Sequence, residues 1–149
     1  LRFTCDDESL RSMGRSTSGV IGMKFREGDE LLTMSRVDGA NSFVFTATDG
    51  GYGKKSPIEE YRLQGRGGIG IKAAKIDEDS RGTLVSALVL VDTDEILAIT
   101  SAGTVMRTQA SEIRQTGRDS MGVRLVNLDE GATLLTVTRS REDEISEEK

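Results

Sequence analysis

Between residues 54 and 75 the chain gathers groups suited to holding an anion. The bases are Lys54, Lys55, Arg62, Arg66, Lys72 and Lys75, against only two acids, Glu59 and Glu60, a net of +4. Within this stretch runs Gln64-Gly65-Arg66-Gly67-Gly68-Ile69-Gly70. Gly67 and Gly68 let phosphate oxygens approach exposed backbone N–H groups, the Gln64 amide can hydrogen-bond them, and the Arg66 guanidinium neutralises their charge. The expected ligand chemistry is the phosphate backbone of double-stranded DNA, met by Lys54, Lys55, Arg62, Gln64, Arg66, Gly67, Gly68, Lys72 and Lys75. Aromatic side chains for base stacking are scarce, 4% of the chain, so contact without sequence readout is expected. A solvated charged edge that only blocks sheet-to-sheet aggregation would carry the same composition.

Other chemistries find little support. Gly65 to Gly70 matches G-x-G-x-x-G, but a dinucleotide site needs a buried parallel strand before it and a helix after it. The residues before it, Ile58-Glu59-Glu60-Tyr61-Arg62-Leu63-Gln64, are too polar for that strand. The chain has no histidine, the commonest general base and metal ligand. The acidic runs Asp6-Asp7-Glu8, Asp77-Glu78-Asp79 and Asp92-Thr93-Asp94-Glu95 lack calcium-loop spacing and read as loop decoration. One cysteine, Cys5, excludes an internal disulfide. No apolar run approaches a membrane span. No catalytic, cofactor or metal residue is assigned, and the chain reads as a binder.

The elements that position the basic segment recur. Gly14-Arg15-x-x-x-Gly19-Val20, Gly65-Arg66-x-x-x-Gly70-Ile71 and Gly117-Arg118-x-x-x-Gly122-Val123 follow one another at intervals of 51 and 52 residues. At a constant offset of 52, Thr48 falls on Thr100, Gly51 on Gly103, Lys55 on Arg107, Glu60 on Glu112 and Ile76 on Leu128. Tyr61 matches Leu10 and Ile113, which makes it a packing position rather than a nucleophile. A period near 50 marks radially repeated β architecture. The apolar runs are short and β-branched or aromatic, and Asp38-Gly39, Asp49-Gly50-Gly51, Ser101-Ala102-Gly103 and Glu130-Gly131 punctuate them. The glycines of the repeated phrase are expected where φ is positive or backbones approach closely.

After each phrase a third strand is expected, with Val20/Ile71/Val123 and Phe25/Ile76/Leu128 facing inward and Lys24, Lys72, Lys75 and Arg124 outward. The expected fold is all-β and propeller-like. It has three four-stranded antiparallel blades, at about 1–41, 42–93 and 94–139, with essentially no helix. Three blades do not close a ring, and Leu1 opens partway through a repeat, so further blades in a longer protein are expected. The tail, 140–149, carries five acids against Arg141 and Lys149, a net of −3. It is expected to be disordered and to compete with DNA for the basic rim.

Taken together, Met13-Gly-Arg-Ser-Thr-Ser-Gly-Val20, Glu60-Tyr-Arg-Leu-Gln-Gly-Arg-Gly-Gly-Ile-Gly70, Asp94-Glu-Ile-Leu-Ala-Ile-Thr100 and Gly117-Arg-Asp-Ser-Met-Gly-Val-Arg124 resemble the C-terminal domain of the DNA gyrase A subunit. The resemblance covers essentially residues 1–139 and implies a β-pinwheel, usually of six blades, whose basic edge wraps DNA. It also implies a place in a cytoplasmic, nucleoid-associated A2B2 enzyme, built from the rest of the gyrase A protein and from the gyrase B protein. That enzyme introduces negative supercoils with ATP and Mg²⁺, both used outside this chain. The family's wrapping motif, Q-[RK]-R-G-G-[RK]-G, is degenerate here at Gly65 and Ile69. A topoisomerase IV A-subunit domain would share the blades, and a kelch-like interaction propeller would share the period without the DNA affinity.

Overall fold

The computed structural model describes residues 1–6, 10–37, 39 and 41–140; the acidic tail from residue 141 lies outside them. The regular structure is almost wholly β. Strand β1 (Phe43–Thr48) turns at Asp49-Gly50-Gly51 into β2 (Tyr52–Pro57), and β3 (Leu84–Leu90) returns antiparallel along the other side of β1. One period later β4 (Glu95–Thr100) turns at Ser101-Ala102-Gly103 into β5 (Val105–Gln109). A two-residue strand, β6 (Val123–Arg124), comes next, and β7 (Leu134–Ser140) returns along β4. Both hairpins turn on a glycine with positive φ, Gly51 at 79° and Gly103 at 81°, where a Cβ would be strained. The pairing register also slips at the same repeat position in both sheets, between Ala47 and Thr48 and between Ile99 and Thr100. This is a bulge inherited with the period.

Pro57 closes β2, because it cannot donate to a ladder, and its φ of −56° leads into a 3-10 turn at Ile58–Glu60. Ala110–Glu112 repeats that turn after β5. The one α-helical element among the described residues is the single turn α1 (Glu78–Arg81), ended by Gly82 at φ 77°.

The expected count of three four-stranded blades needs correction. The sheets run β3-β1-β2-β6 and β5-β4-β7, one of four strands and one of three. The fourth strand of the first sheet comes from the following repeat: Val123 and Arg124 pair with Gly53 and Tyr52. A repeat along the sequence is therefore not a blade in space, since the third Gly-Arg phrase carries its strand across to the repeat before it. The phrase one period earlier approaches the start of the chain in the same way, with Gly70 against Leu1 as Gly122 is against Gly53 and Lys54. There Gln64 N–H donates to the Arg2 carbonyl at 2.9 Å, as Thr116 N–H donates to Lys55 at 2.8 Å. Arg2, bridged to Leu63 as Lys55 is to Gln115, stands at the register of Lys55 and Leu1 at that of Lys54, so the described part of residues 1–41 holds no counterpart of β1, and among those residues only Arg2 makes a bridge. A lone half-hairpin has no ladder to join, and its apolar side chains have no sheet to cover. Val20, Ile21, Phe25, Leu31, Leu32 and Met34 are accordingly exposed.

The core lies between the two sheets. Phe45, Ala47 and Leu90 from one meet Ile96, Ala98, Leu134 and Val137 from the other, with Ala110, Ile113 and Val126 beneath. Burying each large member contributes about 1.5–3 kcal/mol. The Ser86 hydroxyl stitches the sheets polarly by donating to or accepting from the Thr136 hydroxyl at 3.3 Å and accepting the Val137 N–H at 2.8 Å.

Candidate nucleic-acid interface

The two lysines at the head of the expected contact set are not on the rim. Lys54 and Lys55 sit within β2, past the hairpin turn, and are 2% and 3% exposed. β2 is a central strand, flanked by β1 and β6, and its covered run continues through Ser56. Lys54 Nζ donates to the carbonyls of Arg118 and Ser120, in the Gly-Arg turn of the next repeat. Burial pushes its pKa down to about 8, against a partial upward pull from Glu60. Lys55 Nζ pairs with Asp92 at 2.7 Å, donates to the Ala110 carbonyl at 2.7 Å and lies 4.7 Å from the centre of the Phe43 ring. Both ammonium groups tie one repeat to the next, and neither can reach a phosphate.

The Gly-Arg turns also act mainly between repeats. Arg66 Nη1 donates to the Ile21 carbonyl at 2.6 Å, and Arg118 Nη1 donates to the Lys72 carbonyl at 2.5 Å. These are the same bond one period apart. Backbone bonds repeat with it, from Lys24 N–H to Gly68 at 3.0 Å and from Lys75 N–H to Ser120 at 3.2 Å. Each turn thus seats on the extended segment of the preceding repeat, like one stair on another. The trailing glycine of the phrase has positive φ in all three copies, Gly19 at 78°, Gly70 at 91° and Gly122 at 80°. A Cβ on Gly122 would come 2.8 Å from the Gly53 carbonyl oxygen, and one on Gly70 would come 3.1 Å from Leu1 N. The leading glycines differ, since their φ is not positive and Gly14 and Gly65 face open space.

The phosphate cradle expected at residues 64–70 is therefore partly filled by protein. Gly67 N–H donates to the Gly22 carbonyl at 2.8 Å, and Gly67 itself has φ 76°. Gly68 lends its carbonyl to Lys24 N–H, and the Gln64 side-chain nitrogen is buried without an acceptor among the described residues. No helix opens at Gly70, and the next helical element, the single turn α1, starts only at Glu78, so the dinucleotide arrangement is not formed. Only β6 of the expected third strands takes strand geometry. The inward positions Ile71, Ile76, Val123 and Leu128 are half-buried, while Val20 and Phe25 are exposed.

The exposed remainder of the expected set is Arg62, Lys72 and Lys75. Arg62 follows the buried Tyr61, whose hydroxyl, hydrogen-bonded to the Ala73 carbonyl at 3.3 Å, is pushed up in pKa by burial. Its repeat counterparts, Arg11 and Arg114, are also exposed, and none of the three makes a side-chain hydrogen bond or ion pair among the described residues. Reading the segment by its local charge misses Arg11 and Arg114; carrying the register of Tyr61 forward by one residue finds both. A second register joins Lys72 to Arg124, and a third joins Lys24 to Lys75, all exposed. These periodic cations are exposed to an outside anion and are distributed over all three repeats rather than gathered in one loop.

The DNA gyrase C-terminal domain, beta-propeller family model matches residues 5–38, 42–90 and 94–141. The DNA gyrase A subunit of Streptomyces coelicolor is 60% identical over 142 residues, covering 95% of this chain and 16% of that protein. Its counterpart in Mycobacterium leprae is 49% identical over 143 residues, covering 96% of this chain and 11% of that protein. The one from Mycobacterium tuberculosis is 48% identical over 143 residues, covering 96% and 17%. The chain thus spans 11–17% of the length of these curated relatives. Among solved structures, a DNA gyrase A C-terminal domain superposes with a TM-score of 0.77 at 28% identity, over 87% of this chain and 44% of that one. The C-terminal domain of a DNA topoisomerase IV gives 0.75 at 22% identity, over 81% and 38%, a likeness of fold.

Proposed function

The chain belongs to the DNA gyrase C-terminal domain family, and from that membership we propose that it binds duplex DNA by the phosphate backbone and bends it without reading sequence. It acts as a wrapping segment of a gyrase A protein, together with the rest of that protein and its gyrase B partner in an A2B2 enzyme of the cytoplasm. Wrapping biases the strand passage that the enzyme drives with ATP and Mg²⁺, so that negative supercoils accumulate. The cleavage and ATPase chemistry lies elsewhere in that assembly. No membrane enters this reading, and no described helix is long and apolar enough to cross one.

The observation that carries the proposal is the row Arg11, Arg62 and Arg114. A guanidinium that recurs with the blade, exposed and without an acidic partner among the described residues, offers one phosphate contact per step of a curved scaffold. Three such contacts alone contribute about −2.7 to the slope of log K against log salt, or about 40-fold between about 50 and 200 mM, and any further phosphate contact steepens it. Fluorescence anisotropy with two duplexes of unrelated sequence tests this. Equal affinities with that salt dependence support the proposal. A strong preference for one sequence, or no binding at the lowest salt, overturns it.

A further inference from the structure

The corner where β2 begins holds two cations on one ring. The guanidinium carbon of Arg81 lies 4.5 Å from the centre of the Tyr52 ring, and that of Arg124 lies 4.7 Å from it. The two charges are therefore no more than 9.2 Å apart, the sum of those distances. Arg124 reaches the ring from β6, across the Tyr52–Arg124 register pair, and its Nη2 donates to the Tyr52 hydroxyl at 2.6 Å. Arg81 comes from α1, and its Nη1 donates to the carbonyls of Met121 and Gly122 at 3.3 and 3.2 Å.

Neither arginine has a carboxylate partner among the described residues, whereas Lys55, Arg107 and Arg139 are paired with Asp92, Glu95 and Asp94. Two acids close in sequence are occupied. Asp49 accepts the Thr83 N–H and hydroxyl, and Asp77 accepts the Ser80 hydroxyl. Each guanidinium carries five N–H donors in a flat fork. The Nε and Nη2 donors of Arg81, and the Nε and Nη1 donors of Arg124, have no acceptor among the described residues.

The repeat shows that the fold does not require this trio. One period later, Tyr52 and Arg81 are replaced by Thr104 and Thr133; one period earlier, Arg124 is replaced by Lys72. The second hairpin and its return strand form without any ring between cations. Two like charges held on one ring, with no acid between them, are instead arranged for an anion that arrives from outside.

We propose that Arg81, Tyr52 and Arg124 form a phosphodiester seat, in which Tyr52 is the platform that holds two guanidinium forks toward a DNA backbone. The proposal rests on the DNA-binding reading for the source of the phosphate. It adds a site that the basic segment at 54–75 does not contain. The ring serves as a support for cations and not as a stacking surface for a base, so the seat tolerates any sequence. Two charges no more than 9.2 Å apart suit phosphates that neighbour each other along one strand.

The test is duplex binding by the full chain as salt is raised, for the unaltered protein and for Arg124→Ala, Arg124→Lys and Arg81→Ala/Arg124→Ala, each checked for an unchanged thermal melt. Arg124→Ala is expected to weaken binding at low salt by about 3- to 10-fold and to flatten the salt slope by about one unit. Arg124→Lys should restore the slope but not the full affinity, because an ammonium keeps the charge and loses the fork. If the double variant melts early, the single-variant slopes decide. Normal binding by the unaltered chain with no change in Arg124→Ala overturns the seat and leaves the DNA reading intact. Tighter DNA binding by Arg124→Ala also overturns it, because Arg124 would then hold the chain's own acidic tail or another carboxylate. Failure of the unaltered chain to bind any duplex overturns both readings.

Discussion

Arginine recurs with the same period in two places and does different work in each. In the Gly-Arg turns the guanidinium groups of Arg66 and Arg118 each take a backbone carbonyl of the preceding repeat. At the step after Tyr61 and Ile113, Arg62 and Arg114 are exposed and make no hydrogen bond or ion pair among the described residues. Periodicity alone cannot separate the two, because a repeat preserves joints and contact surfaces alike. What separates them is the acceptor. A periodic cation with a carbonyl of the neighbouring repeat in reach belongs to the joint, and one without belongs to the surface. Lys54 and Lys55 are the extreme joint residues, and Arg62 and Arg114 the extreme surface residues.

The largest expected effect breaks the joint. Lys55→Met leaves the Ala110 carbonyl without its donor and Asp92 without its cation, at a cost of about 2–3 kcal/mol. Urea unfolding measures it. The DNA salt slope of the folded variant should stay where it was. A slope reduced by a full unit with stability intact would move Lys55 to the surface class.

Next come the two glycines of a single phrase. Gly122→Ala places a Cβ at positive φ, 2.8 Å from the Gly53 carbonyl oxygen, and is expected to destabilise by about 1–3 kcal/mol. Gly117→Ala meets only the Glu60 carboxylate, at 3.7 Å, and should stay within about 0.5 kcal/mol of the original. Equal losses from the two would remove the distinction between a glycine held by geometry and one carried along by the repeat.

A separate test of the joint is the pH response. Lys54 titrates near 8 in the folded protein against 10.5 for the ordinary lysine. Between those values the unfolded chain binds the extra proton, so its contribution raises stability as pH climbs from about 8 to about 10.5. Tyr61 acts oppositely, because burial raises its pKa above 10.0. The unfolded chain therefore loses that proton first, and stability falls as pH passes 10. The expected profile rises from about pH 8 and turns over beyond about pH 10. Lys54→Met should abolish the rise and keep the turnover, as urea midpoints across that range would show.

Much of this fold is legible in the chain because its signals are local. Alternation along Glu95–Thr100 places Ile96, Ala98 and Thr100 inward, and Gly51 and Gly103 mark both hairpins at one register. The exchange of β6 into the neighbouring sheet is not local. Tyr52 and Arg124 pair across 72 residues, and nothing in either segment names its partner. The same limit hides the burial of Lys54 and Lys55. A lysine pair reads as solvated until Arg118, Ser120, Asp92 and Ala110 are known to converge on it. The Tyr52 seat is equally hidden, since its three members are far apart along the chain. The Arg11, Arg62 and Arg114 row is within reach of the sequence, one residue beyond the packing position that the repeat aligns.

The most direct test of the joint-versus-surface distinction is the salt dependence of duplex binding for Arg62→Ala/Arg114→Ala beside Lys55→Met. The double arginine variant is expected to melt like the original and to lose about two units of salt slope. Lys55→Met is expected to melt earlier and to keep the full slope. The reverse pattern, with the slope unchanged in the arginine variant and reduced in the lysine variant, would contradict the assignment of buried cations to the joints and exposed periodic cations to DNA.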